Sequence, residues 1–211
     1  MKKFLPLLIL VFGLFYIFFI PSEPIGIKIL FKLIPMLLIL YFAFSLKPVQ
    51  SSKYRTLIIT GLFFCMIGDG TLIWFVIGLS AFLIGHLFYT AGFISSWNYS
   101  NKRMLSIIPI AIYAFLMCSN ITAALIDKGD RGLIIPVIAY TIAISTMVFT
   151  AIMTGNKWAI IGSVLFIISD SILSWDLFVQ TVRYNHELIM ITYYSAQFLI
   201  ARSILSLKST A

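Results

Sequence analysis

Carboxylates are scarce in this sequence. It has seven Asp and Glu in 211 residues, and only 10% of the chain is charged. A soluble domain carries about a quarter charged residues, so a water-facing surface of the usual kind is excluded. Cysteine is equally sparse. Cys65 and Cys118 both fall inside apolar runs, which argues against a disulfide scaffold and gives no metal-ligand spacing. Each reads as a small packed hydrophobe. Missing too are a basic arm, a zinc pattern and an aromatic-plus-basic sheet motif. The net charge of +8 therefore does not point to nucleic acid. No small-x-small cleavage site precedes Pro21 in MKKFLPLLILVFGLFYIFFI, so the opening run reads as a retained span and not a signal peptide.

What the chain has in excess is apolar residues, 61% of the total. Repeated runs of about 20 such residues match the length a helix needs to cross roughly 30 Å of hydrocarbon. The breaks between runs predict eight transmembrane helices, over residues 4–20, 25–46, 56–74, 77–97, 104–126, 132–153, 158–179 and 187–207. The connecting pieces PSEP, KPVQSSKYR, NYSNKR, DKGDRG, TGNK and QTVRYNH are short and turn-forming. Residues 56–97 hold no polar loop, and the break is set near Trp74–Ile77 because that stretch is too long for one span. The expected fold class is all-α, a polytopic membrane protein forming one domain over residues 1–211.

An even number of spans puts both termini on one side. That side collects Lys2, Lys3, Lys47, Lys53, Arg55, Lys102, Arg103, Lys157, Arg202 and Lys208. The other holds Lys28, Lys32, Lys128, Arg131 and Arg183, with Glu23, Asp127, Asp130, Asp176 and Glu187. Basic residues concentrate in cytoplasmic loops, so both termini are expected in the cytoplasm, with a bacterial inner membrane as the expected location. Two stretches echo each other. GLFFCMIGDGTL carries Asp69 eight places after Gly61, and GSVLFIISDSIL carries Asp170 eight places after Gly162. The echo fits a parallel four-plus-four duplication.

An ionisable group inside a span is costly and usually faces a cavity or a partner. Counted along their helices, Asp69 and Asp170 lie roughly 18–20 Å from the cytoplasmic face. Lys32, His86, Tyr89, Tyr193 and Gln197 reach similar depth from the opposite side. Ser163, Asp170 and Ser174 share one helix stripe. The pattern predicts one polar cavity in the outer half of the bilayer. Structural readings stand beside this one: an aspartate as only a helix–helix hydrogen-bonding group or a partner for Lys32, and His86 as only a packed residue. Gly78, Gly85 and Gly92 recur every seven residues and predict close helix packing.

FKLIPMLLIL (31–40), GLFFCMIGDGTL (61–72), GLSAFLIGHLFYTAGF (78–93), GSVLFIISDSIL (162–173) and TYYSAQFLI (192–200) together resemble, in order, the lysoplasmalogenase family of membrane proteins, the YhhN type. The resemblance implies an eight-helix bundle that hydrolyses the vinyl ether bond of lysoplasmalogens. The products would be a fatty aldehyde and glycerophosphocholine or glycerophosphoethanolamine, with no cofactor or metal. By position it implies Asp69 and Asp170 as the catalytic pair, with Lys32, His86, Tyr89, Tyr193 and Gln197 binding substrate. The family pattern places Lys directly before Pro, whereas Lys32 and Pro35 are three apart here.

Vinyl ether hydrolysis needs a proton delivered to carbon and passes through an oxocarbenium ion. Two carboxyl groups, one protonated and one ionised, meet a similar cation in glycosidases. On this reading Asp170, flanked by Ile168 and Ile172, is favoured as the acid. Lys32 or Arg183 is expected at the lipid phosphate, and Tyr89 or Trp175 at a choline group. The rival function classes are a proton-coupled transporter and a lipid-binding membrane protein using the same acids. An intramembrane aspartyl protease is disfavoured, because the first glycine of GxGD and the tyrosine of YD are absent.

Overall fold

The computed structural model describes residues 4–46 and 52–205. Among these residues, eight long helices follow one another through short turns. They are α1 (Leu5–Phe19), α2 (Ile25–Ser45), α3 (Ser52–Thr71), α4 (Phe75–Ser95), α5 (Ile107–Lys128), α6 (Ile134–Thr154), α7 (Lys157–Phe178) and α8 (Asn185–Arg202). Single helical turns at Asn101–Met104, Arg131–Leu133 and Ser203–Leu205 extend α5, α6 and α8. Six of the eight, all but α1 and α3, are long and apolar enough to cross a membrane. The chain is an all-α polytopic membrane protein.

The helix ends follow local chemistry. Gly129 and Gly155 stop α5 and α6 with positive φ, 82° and 68°, a left-handed conformation that costs glycine little. Asn156 caps α7 by accepting a hydrogen bond from Trp158 N at 3.0 Å. Most expected boundaries move by a few residues, and two of the shifts bear on the reading of the sequence. The break between α3 and α4 lies at 72–74, slightly before the expected Trp74–Ile77. α3 also starts at Ser52 and not at residue 56, so Lys53 and Arg55, which read as loop, belong to its first turn. A helix tolerates charge there because long basic side chains run their stems along apolar surface. Arg55 donates to Phe44 O at 2.6 Å, satisfying a carbonyl at the end of α2.

The main core joins α1–α4 with α6–α8, centred on Met36, Ile39, Leu62, Tyr89, Phe166 and Ala196. α5 lies at the rim, with only Ile121 and Leu125 buried. Exposed Leu, Ile and Phe cover the outside, as expected where the solvent is lipid. At the end where α3 and α7 begin, Tyr54 and Ser203 hydrogen-bond at 2.6 Å and Asn156 donates to Ser203 O at 3.0 Å. At the opposite end, Asp176 accepts from Val182 N at 2.8 Å and from Asn185 at 2.6 Å, folding the α7–α8 turn.

The heptad glycines of α4 lie in its seam with α3. A Cβ at Gly85 would meet Cys65 Sγ at 2.8 Å, and one at Gly78 would meet Leu72 Cα at 2.6 Å. The second contact is with backbone, which cannot swing aside. Gly78→Ala is therefore expected to lower stability by about 1–3 kcal/mol, read as a lower Tm in detergent. An unchanged Tm would show that the 72–74 turn is not tightly seated.

Candidate active site

One cavity of about 350 Å³ opens among the helices at the end where α2 and α8 begin, within the range of small-molecule sites. Leu72, Phe75, Phe82, Leu173 and Phe178 make much of its wall apolar. Asp69 and Asp170 both line it, from α3 and α7. α2 brings Lys32, α6 brings Tyr140 and α8 brings Tyr193 to the same space. Asp69 sits within one turn of the end of α3, whereas Asp170 has two further turns of α7 beyond it.

The two acids are held differently. Asp69 is 4% exposed. Lys32 Nζ lies 3.0 Å from its Oδ1, and Tyr193 Oη donates to its Oδ2 at 2.5 Å. Both carboxylate oxygens are engaged, one by a charge. Asp170 receives a hydrogen bond from Tyr140 Oη on Oδ2. Among the described residues nothing is bonded to its Oδ1. Asp69 is thus a tethered member of an ion pair, whereas Asp170 is bonded through one oxygen only.

Lys32 is inside the protein, with its side chain 13% exposed, so its stem does not carry the ammonium out to the interface. Pro35 removes one backbone donor from this part of α2, and Tyr194 Oη donates to Lys32 O at 2.8 Å there. The unusual Lys–Pro spacing does not keep the lysine from the cavity.

The remaining candidates separate into two groups. Tyr193 reaches the cavity wall. His86, Tyr89 and Gln197 do not; they form a fully buried layer beneath it. Tyr89 Oη donates to Gln197 Oε1 at 2.6 Å. The His86 ring packs edge-on against Tyr140 and Phe166, with centroids 5.1 and 4.7 Å apart. Neither of its nitrogens has a hydrogen-bond partner among the described residues. Of the three, His86 packs against Tyr140, and none is part of the cavity wall. Ser174 lines the cavity but Ser163 does not, since it is buried and donates to Ile160 O at 3.0 Å. Arg183 and Trp175 are likewise absent from the wall; Arg183 lies over the Tyr184 ring at 4.8 Å.

Removing the acceptor in the lower layer tests its role. Gln197→Leu leaves the Tyr89 hydroxyl buried without its partner and is expected to cost about 1–3 kcal/mol. A Tm scan would read the loss, while any activity of the folded protein should keep its KM. A raised KM at unchanged Tm would instead put Gln197 in contact with the ligand.

Tyr140 was not among the residues singled out from the sequence. It lies six residues into α6, close to the eight by which Tyr193 lies into α8. The same depth count applied to every span would have found it.

Both aspartate stretches and the Lys32 stretch, brought to one cavity, are three of the five pieces that carried the family resemblance. Residues 27–204 match the YhhN family. The chain belongs to that family. It is 30% identical over 210 residues to lysoplasmalogenase TMEM86B of Mus musculus, covering 97% of this chain and 87% of the relative. It is 30% identical over 197 residues to lysoplasmalogenase TMEM86B of Homo sapiens, covering 90% and 81%. With lysoplasmalogenase TMEM86A of Bos taurus it shares 31% over 202 residues, covering 90% and 83%. No solved structure matches. The family match takes in every residue of the Lys32, Asp69, Tyr140, Asp170 and Tyr193 constellation.

Proposed function

We propose that this protein is a membrane-embedded lysoplasmalogenase, hydrolysing the vinyl ether of a lysoplasmalogen to a fatty aldehyde and glycerophosphocholine or glycerophosphoethanolamine. The observation that carries the reading is that two aspartates with different partners line one cavity, in a chain related over most of its length to lysoplasmalogenases. An apolar wall with a few convergent polar groups suits a one-chain lipid.

Asp170, with one oxygen unengaged, is the acid. It gives its proton to the vinyl carbon remote from oxygen, leaving an oxocarbenium ion. Asp69, held as an anion by Lys32, faces that cation and takes a proton from the water that attacks it. The resulting hemiacetal returns its hydroxyl proton to Asp170, while Asp69 protonates the departing glycerol oxygen. Aldehyde and alcohol leave, and both acids end as they began. Tyr140 and Tyr193 orient the two carboxyls.

The same reading takes the chain as one domain in which all eight helices cross the membrane, α1 and α3 included. Both termini then lie in the cytoplasm. Lys53, Arg55, Lys102, Arg103, Lys157 and Arg202 support that side; Lys2, Lys3, Lys47 and Lys208 lie outside the described residues. The cavity would open toward the outer leaflet of a bacterial inner membrane. A four-plus-four duplication is part of the proposal. A Cβ at Gly61 would sit 3.1 Å from Gly85 O, and one at Gly162 would sit 3.0 Å from Ala196 O, so α3 meets α4 much as α7 meets α8.

Purified protein given a lysoplasmalogen and, separately, its saturated alkyl-ether analogue tests the reaction. Aldehyde from the first and none from the second is expected. No aldehyde from a folded preparation would remove the hydrolase reading and leave a transporter or lipid-binding role.

A further inference from the structure

Lys32 is engaged by Asp69 at 3.0 Å, and Arg183 lies off the cavity wall. The phosphate of the lipid therefore needs another counter-charge. Lys28 and His186 both line the cavity. Lys28 precedes Lys32 by one helical turn, so both point from the same face of α2. Lys28 is half-buried, and among the described residues no carboxylate pairs with it. His186, near the start of α8, is held edge-on against Tyr16 with ring centroids 5.4 Å apart.

The geometry points to Lys28 and His186 as the subsite for the phosphodiester of a lysophospholipid headgroup, resting on the cavity reading above. α2 begins at Ile25, itself in the cavity wall, and α8 begins at Asn185. Two helix N-termini thus bring their positive ends to the lysine and the histidine, an arrangement that favours an anion. The acids at this end do not compete. Asp176 is occupied by Val182 N and Asn185, and none of Glu23, Asp127, Asp130 and Glu187 lines the cavity.

Spacing supports the assignment. One turn of α2 sets Lys28 about 6 Å beyond Lys32 along the helix axis, and Lys32 is bonded to Asp69. In the lipid, the three glycerol carbons set the phosphate and the vinyl ether a comparable distance apart. A phosphate at Lys28 and His186 therefore leaves the vinyl ether beside the acids, with the hydrocarbon chain extending along the apolar wall.

Binding of two non-hydrolysable ligands of equal chain length tests this without relying on turnover. One is a saturated alkyl-ether lysophosphatidylcholine, and the other is the alkylglycerol that lacks the phosphate. The wild-type protein should bind the phospholipid more tightly. Lys28→Gln should weaken the phospholipid about tenfold, some 1.4 kcal/mol, and leave the alkylglycerol unchanged, while Lys28→Arg should restore the preference. His186→Phe should weaken the phospholipid selectively too. Equal binding of both ligands by the wild type, or equal changes for both in Lys28→Gln, would overturn the subsite. Inorganic phosphate provides a further arm. It should compete only at millimolar levels, and competition at micromolar levels would assign the site to free phosphate and not to a headgroup. If these results hold but wild-type protein releases no aldehyde from the alkenyl lipid, the hydrolase reading fails and the phosphate site stands.

Discussion

Asp170→Asn is expected to abolish aldehyde release from lysoplasmalogen while the protein stays folded. The asparagine still presents an oxygen to Tyr140, so the α6–α7 contact survives, but it carries no proton to give to carbon. General acid catalysis contributes typically 10²- to 10⁴-fold. In a reaction whose first step is protonation of carbon, the loss should sit at the upper end, roughly a thousandfold or more in kcat. The check is aldehyde formation by purified Asp170→Asn beside wild type, with Tm and retention on a sizing column recorded on the same preparations. Full activity in the variant would end the role of Asp170. Partial activity, down less than tenfold, would transfer the acid role elsewhere in the cavity.

Lys32→Met should lose stability as well as chemistry. Asp69 would remain buried with a tyrosine but no cation. Breaking a buried pair from one side costs roughly 3–5 kcal/mol, because the surviving charge stays uncompensated. The double variant Lys32→Met with Asp69→Asn removes both charges and keeps the Tyr193 hydrogen bond, so it should recover most of the lost Tm. It should also be inactive, since no anion remains to face the oxocarbenium ion or to accept the proton of water. The two single variants and the double form a cycle whose coupling energy isolates the pair. Additive effects, or a Lys32→Met protein as stable as wild type, would show that the 3.0 Å contact contributes nothing.

The fold was largely legible in the sequence, for a physical reason. A bilayer forces each crossing segment to be long, apolar and helical, so all eight helices stand out as runs, and seven of the expected segments lie within three residues of the observed start. Its errors fall where charge and helix overlap. Lys53 and Arg55 read as loop because they are basic, yet they occupy the first turn of α3, where long side chains leave the apolar phase on their own.

The site was legible in part. Asp69, Asp170 and Lys32 announce themselves because burying charge in lipid is expensive. Tyrosine and glutamine give a weaker signal, since each is amphipathic or neutral and common in packed helices. Tyr140 was therefore passed over, and His86, Tyr89 and Gln197 were expected to touch a ligand, though they lie beneath the wall. Depth along a helix can be counted from residue numbers; the rotation that decides whether a side chain meets the cavity or the layer behind it depends on the neighbouring helices.

From the order of residues alone come a polytopic helical chain, the cavity's end of the bundle and the two acids worth watching. These follow from length, apolarity and the rarity of buried charge, all one-dimensional properties. Only the packed structure decides that Lys32 belongs to Asp69, that Tyr140 belongs to Asp170, and that Lys28 is left over. Those pairings join helices far apart in the chain, and a hydrogen bond is fixed by distances of about 3 Å that no spacing along a single helix specifies.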